Sequence, residues 1–506
     1  MTRRAPLFLG TLVLAALCGY VQPPYPLGPF PQGPSSLGPL RVGPGAGVRT
    51  MMSSMLRPLR DDVRVVPILS VGDTLAPADT QTIPYVFLPM PDGLGMRTMQ
   101  KGIAEIYVAH HLAYGSVFRG AWVSRLAIDL RNLGVLGGDM LVNGDQGYSR
   151  LSTMSLVGSR EGFLSPTLLM NEESVNGPFH GITTAVDPRD GSVTPLPWLG
   201  FFSHEATVIV PVSSGKLVAI LTEDGPPGGS QLYMYLAEND ADFLAGRGRL
   251  YVFRADPARG RTNTRLSSMA DKFRPLTGRF VPVGMDFSRP ASEQPDDLES
   301  AAQSAGCLNF VRLEDAVADR TEPNVFYVAD CGSEDLADPT TGRPVTGAGR
   351  VYSFTLDPFN PTIVREMAVL LDGDAADDIY RPDNMDADDR YLWIQEDPGS
   401  TRGLHTARVL RYDLQAHRLD AMAECVETDP KGRLLPKGVG GVWESTGILN
   451  VSDILGPDTW LLAVDAPNLE ATPFRSHGGG GQLLILRGPG SPREKPAKSS
   501  APKTQN

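Results

Sequence analysis

Between Asn309 and Ser333 the chain reads Asn-Phe-Val-Arg-Leu-Glu-Asp-Ala-Val-Ala-Asp and then Glu-Pro-Asn-Val-Phe-Tyr-Val-Ala-Asp-Cys-Gly-Ser. Arg312, Glu314 and Asp315 stand just ahead of a short apolar strand, Val325 to Ala329. If the backbone around Arg312 is extended, side chains two apart share a face, so Arg312 and Glu314 point the same way. One cation and one carboxylate aimed together suit an anion held beside a metal; a surface ion pair is the competing reading. A second stretch repeats the scheme: Arg381-Pro382-Asp383-Asn384-Met385 precedes Tyr391-Leu392-Trp393-Ile394-Gln395, which runs into Glu396-Asp397.

More acids sit at the edges of apolar runs: Glu172-Glu173, His204-Glu205 and Glu223-Asp224. Calcium takes six to eight oxygen ligands, and other hard ions also accept carboxylates. Acidic segments at equivalent positions of a repeated unit can supply such a set, although any one pair also reads as solvated strand ends. Arg254 at a strand end and Asn263-Thr264-Arg265 after a short loop add polar groups of the kind that hold phosphate oxygens. His110-His111 lies in a strand-like run where one ring must point inward. No Gly-x-Ser-x-Gly elbow and no phosphate loop ending in Lys-Ser/Thr is found, and Gly478 to Gly481 has no nucleotide-binding context.

The balance of charge agrees with cation binding. Lys plus Arg total 46 against 58 Asp plus Glu, a net charge of -12. That disfavours nucleic acid as a partner, since phosphates need clustered cations. Arg3 and Arg4 precede the apolar run Leu7 to Leu17, the pattern of a signal peptide over residues 1–22. The expected location is secreted or periplasmic, and Cys18 is a weak candidate for lipid anchoring. No other stretch is apolar enough to span a membrane. Cys307 and Cys331 flank the central stretch, so a disulfide and buried thiols are both open.

These residues need a scaffold that repeats. A Pro/Gly-rich linker over residues 23–60 and a Pro/Lys/Ser-rich tail over 489–506 enclose a folded span of 61–488. Inside it, short runs of Val, Ile, Leu, Tyr and Phe bounded by Gly, Pro, Asp or Asn dominate, among them Ile103 to Ala109, Thr207 to Val212, Lys216 to Thr222 and Thr459 to Val464. Helical periodicity is confined to short insertions such as Leu298 to Ala305. Gly349 to Pro358, Gly248 to Arg254 and Ala407 to Leu414 are loosely alike and read as the same strand of successive blades. The expectation is an all-β protein, a six-bladed β-propeller with its acidic segments converging on one mouth of the channel.

The ordered motifs resemble the PhoX-type alkaline phosphatase family. They run from Pro91-Asp92-Gly93-Leu94-Gly95 through Leu199 to Ala206, Leu221 to Asp224, Asn263 to Leu266, Arg312-Leu313-Glu314-Asp315 and Pro382-Asp383-Asn384 to Glu444-Ser445-Thr446-Gly447-Ile448. The resemblance implies a six-bladed propeller whose mouth holds iron and calcium and hydrolyses small phosphate esters outside the cytoplasm. By motif position it implies metal ligation by Glu205, Glu314 and Asp383, with Glu172 and Glu396 as further acidic candidates from the strand edges. It assigns phosphate contacts to Arg312 and Asn263, with Arg254 where the family tends to have Lys. The family's Thr-Cys-Glu-Glu reads Met170-Asn171-Glu172-Glu173 here, so Asn171 replaces a cysteine iron ligand and favours calcium over iron. Ala109-His110-His111 likewise departs from a family Asn-His-Glu. The expected function is an exported metal-dependent phosphatase. The alternatives are a calcium-stabilised propeller that binds without catalysing and a lactonase-like calcium hydrolase.

Overall fold

The computed structural model describes residues 40, 42, 47–75, 84–257, 274–337, 344–397, 406–427, 443–467, 469 and 479–491. Antiparallel pairing sorts the main strands into six consecutive four-stranded units. Their first strands are Pro91–Gln100, Leu151–Val157, His204–Val210, Leu313–Ala318, Pro382–Ala387 and Glu444–Asn450. Each contacts the first strand of the next unit, and the last contacts the first, so the six close a ring around a central channel. The fold is all-β and propeller-like. Units three and four are also joined edge to edge, by Leu276–Pro282 pairing with Ile363–Asp372.

The ring is fastened by the chain's early strands. Arg64–Ser70 pairs with Gly480–Arg487 and becomes the outer strand of the sixth unit. Leu56–Pro58 likewise adds to the outer edge of the fifth. These pairings leave the closed ring without a free seam. Apolar side chains fill the space between neighbouring units, as where Trp393 of the fifth packs on Trp460 of the sixth with ring centroids 4.8 Å apart. The helix Gln294–Ala305 is an insertion outside the ring, starting with Pro295 in its first turn and ending at Gly306 in the left-handed region.

The first strands share an irregularity near one end. Pairing with the second strand shifts register between Pro91 and Leu94, His204 and Ala206, Leu313 and Ala316, and Pro382 and Met385. In the second unit the shift falls between Met170 and Glu172 of the partner strand, and in the sixth between Thr446 and Ile448. A bulge re-aims a side chain that regular pleating would send elsewhere. Here the bulged positions include Asp92, Glu205, Glu314 and Asp383. At Gly447 the sixth strand has φ +38, and a Cβ would stand 2.2 Å from the Asp92 carbonyl oxygen. Only glycine lets the sixth unit approach the first this closely.

Candidate active site

The bulges bring carboxylates together at one mouth of the channel. Ligand atoms of Glu205, Glu314 and Asp383 lie within 4.8 Å of one another, and the same holds for Asp383, Asp397 and Glu444. Glu205 and Glu314 are buried. Burial pushes the Glu205, Glu314, Asp383 and Glu444 carboxyls well above the ordinary range, and neighbouring acids push them further. Glu205 Oε1 accepts from the hydroxyls of Ser152 and Thr153, at 2.5 and 3.1 Å, which fixes its direction.

A second tier comes from the ends of the second strands, and one register rule organises it. Pro91 pairs with His110, Leu151 with Glu172, His204 with Glu223, Leu313 with Asp330, and Pro382 with Glu396. The second partner of each pair turns inward and binds its own unit. Glu172 accepts from the Ser149 and Gly181 amides at 2.9 and 3.0 Å. Glu223 accepts from Gln231 N, and Asp330 from the amides of Val311, Arg312 and Gly332. Glu396 accepts from Tyr380 N and pairs with Arg408 at 2.7 Å. His110 bonds Ser124 Oγ and the Pro89 carbonyl. The residue after each, His111, Glu173, Asp224, Cys331 or Asp397, meets the mouth instead.

Glu172 and Glu396, both expected as metal ligands, therefore stand apart from the cluster with their oxygens committed to backbone amides and Arg408. Their successors Glu173 and Asp397 take the place at the mouth. Glu172→Ala leaves two buried amides without acceptors, each costing on the order of 1–3 kcal/mol. The expected outcome is a clear fall in melting temperature, larger than that of Glu173→Ala, which loses the His111 pair but also relieves repulsion on Glu205 and Asp224. Thermal scans of both variants check the rule, and equal melting temperatures would sink it.

His111 joins the first and second units. Its Nε2 is 2.9 Å from Glu173 Oε2 and its Nδ1 3.9 Å from Asp92 Oδ2. Burial works against protonation of the imidazole, and the facing carboxylates outweigh it, raising its pKa. Asp92 itself is pushed up to about 6, chiefly by burial, and Asp465 to about 8. Asp92 Oδ1 and Asp465 Oδ1 are buried and have no hydrogen-bond partner among the described residues.

Arg312 brings a cation to the carboxylate cluster. Its Nε and Nη2 donate to the two oxygens of Asp224 at 2.9 and 2.7 Å, and Nη2 lies 3.2 Å from Glu314 Oε1. Arg312 and Glu314 thus do share a face. Arg254 is exposed on the fourth strand of the third unit, where Nη1 donates to the Ala305 carbonyl at 3.5 Å, so it is not brought to the mouth. Asn263 lies outside the described residues. Asn171 is buried and fully engaged: its oxygen accepts from the Thr183 and Thr207 hydroxyls and its amide donates to the Thr153 carbonyl. Cys307 and Cys331, for which a disulfide and buried thiols were both open, are not bridged. Both are buried thiols, Cys307 donating to Asn309 Oδ1 and Cys331 lying beside Glu314.

Fold and site together define a propeller-like protein with an acidic mouth that Arg312 borders. Comparison with known proteins makes the class specific. The profile of the family "Alkaline phosphatase PhoX" matches residues 154–425, more than half of the chain. The chain belongs to that family. The solved structure of Pseudomonas fluorescens PhoX in complex with vanadate, a transition state analogue, is similar at 13% identity and a TM-score of 0.62, covering 89% of this chain and 98% of that one. A Penicillium chrysogenum alpha-L-arabinanase is similar at 10% identity and a TM-score of 0.41, over 83% of this chain and 98% of that one. A Dyadobacter fermentans protein of unknown function follows at 9% identity and 0.40, over 86% and 100%. No curated protein matches the chain in sequence.

Proposed function

We propose that the chain is an exported metal-dependent phosphatase acting on small phosphate esters at the acidic mouth. The observation that carries this reading is the convergence of Glu205, Glu314 and Asp383 within 4.8 Å beside Arg312, in a chain of the PhoX family. The donor set fits hard cations. Its clustered carboxylates supply oxygen, burial strains their charge, and Asp92 and Asp465 each have a buried oxygen without a hydrogen-bond partner among the described residues. Glu205, Glu314 and Asp383 would hold the metal, with Asp397 and Glu444 extending the set. Calcium suits them, and the engaged amide of Asn171 offers iron no soft ligand. Bound cations polarise a phosphoryl group and lower the pKa of an oxygen nucleophile. The chain's own contribution is Arg312, a fixed positive charge that binds the phosphate and opposes the charge that gathers in the transition state.

Export rests on the Arg3-Arg4 and Leu7 to Leu17 pattern. Among the described residues, no helix is long and apolar enough to cross a membrane. One experiment tests both parts. Protein purified from its native cells is sequenced at its first residue and assayed on p-nitrophenyl phosphate and glycerol phosphate with calcium and iron supplied. The expected result is a start near the Pro-rich segment and turnover that chelation abolishes. A wild type inactive on every ester tried, with its metals analysed and present, overturns the catalytic reading in favour of a binding protein. An intact Met1 or Thr2 overturns export.

A further inference from the structure

Arg312 is unusually well held for a side chain with so many rotamers. Its own amide donates to Asp330 Oδ1 at 3.0 Å, and its carbonyl accepts from Cys331 N at 2.9 Å. Its guanidinium is gripped on the Nε/Nη2 edge by both oxygens of Asp224. Nη1 is left without an acceptor among the described residues. A fork–fork pair of this kind fixes the plane of the guanidinium as well as its distance.

Asp224 is fixed in turn. It follows the strand Leu217–Glu223, its amide donates to the Ser203 carbonyl at 3.1 Å, and Gly225 N donates to Ser230 Oγ at 3.1 Å. Glu223, just before it, binds Gln231 N, which stops the turn from rotating. The Asp224 carboxylate is about nine-tenths buried and also hydrogen-bonds Glu173. Arg312 comes from the fourth unit and Asp224 from the third, so the pair spans the seam between them.

We propose that Asp224 is a positioning residue: it clamps the Nε/Nη2 edge of Arg312 so that Nη1, held by neither Asp224 nor Glu314, is presented, already oriented, to the phosphate. This rests on the phosphatase reading above. Its consequence is that Asp224 acts only through Arg312. Orientation paid in advance by the fold contributes to rate because the substrate does not have to order the guanidinium itself.

A double-mutant cycle on the metal-loaded enzyme tests it. Asp224→Ala is expected to lower kcat/KM by roughly 10–100-fold. Added to Arg312→Ala it should lower it no further, within about twofold. Asp224→Asn, which cannot grip both nitrogens as an anion, should sit between wild type and Asp224→Ala. Inorganic phosphate binding, measured by calorimetry, should weaken in Asp224→Ala, while elemental analysis shows the wild-type metal content. Losses that multiply in the double variant, or metal lost from Asp224→Ala, overturn the proposal, because Asp224 would then act on the metals or substrate directly. Wild-type turnover in Asp224→Ala overturns it equally. A wild type that neither binds phosphate nor hydrolyses any ester defeats the phosphatase reading, and this proposal falls with it.

Discussion

Arg312→Ala is expected to lose on the order of 10²–10³ in kcat/KM on phosphate monoesters, the usual cost of one preorganised charge that meets a developing anion. The position justifies the size. Arg312 lines a partly exposed mouth, at 29% side-chain exposure, next to Glu314 of the carboxylate cluster. Arg312→Lys keeps the charge and loses the fork, so it cannot be gripped by both Asp224 oxygens and should recover only part of the rate. The fold should survive either change. Burial already lifts the Asp224 carboxyl to about 7 with the arginine present, so without it Asp224 takes up a proton and is not stranded as an ion. The measurement is steady-state kinetics beside a thermal melt. Normal turnover in Arg312→Ala would remove the phosphate from this edge of the mouth.

Much of the outer fold was legible in the sequence, and the channel was not. The apolar runs at 103–109, 216–222, 325–329, 391–395, 408–413 and 459–464 all coincide with strands, and these are second and third strands of their units, buried on both faces. The first strands read differently. Pro382–Ala387 is Pro-Asp-Asn-Met-Asp-Ala, and Leu151–Val157 is Leu-Ser-Thr-Met-Ser-Leu-Val. Such sequences are poor in the β-branched and aromatic residues that mark a strand, because one face looks into a polar channel and each strand is interrupted by a bulge. Only His204–Val210, whose Thr-Val-Ile-Val is apolar, announced itself. The strands that form the site were hidden by the composition the site requires.

The site itself was half legible for a related reason. Glu205, Glu314 and Asp383 follow from motif position, and the structure brings their carboxylates together. Glu172 and Glu396 were chosen from acid pairs in which the other member meets the mouth. Alternation says that the two members of a pair diverge, but only the register against the first strand says which one turns inward. His111 and Asp92 lacked any local signal beyond a His pair and a Pro-Asp-Gly motif, since the nearer partner of His111, Glu173, comes from another unit.

The same clustering gives the last expected result. Stripped of divalent cations, the protein should become less stable as pH rises from about 5 to 8, and calcium should raise its melting temperature far more at pH 8 than at pH 5. The sign follows from the acids. An unfolded carboxyl titrates near 4. In the folded mouth Asp92 is lifted to about 6, Asp224 to about 7 and Asp465 to about 8, each mainly by burial, and Glu205, Glu314, Asp383 and Glu444 are raised well above their ordinary values. Between the unfolded and folded values the native state holds more protons than the unfolded chain. Stability therefore falls with rising pH throughout that window. A bound cation competes with those protons and removes the repulsion, so its stabilising effect grows as they leave. Saturation at about 100 times the dissociation constant gives about 2.7 kcal/mol, enough to move a melting temperature by degrees. The measurement is a set of melts at both pH values, with chelator and with calcium. A chelated protein equally stable at pH 5 and 8, with a calcium shift that ignores pH, would mean that these carboxylates do not share a metal site.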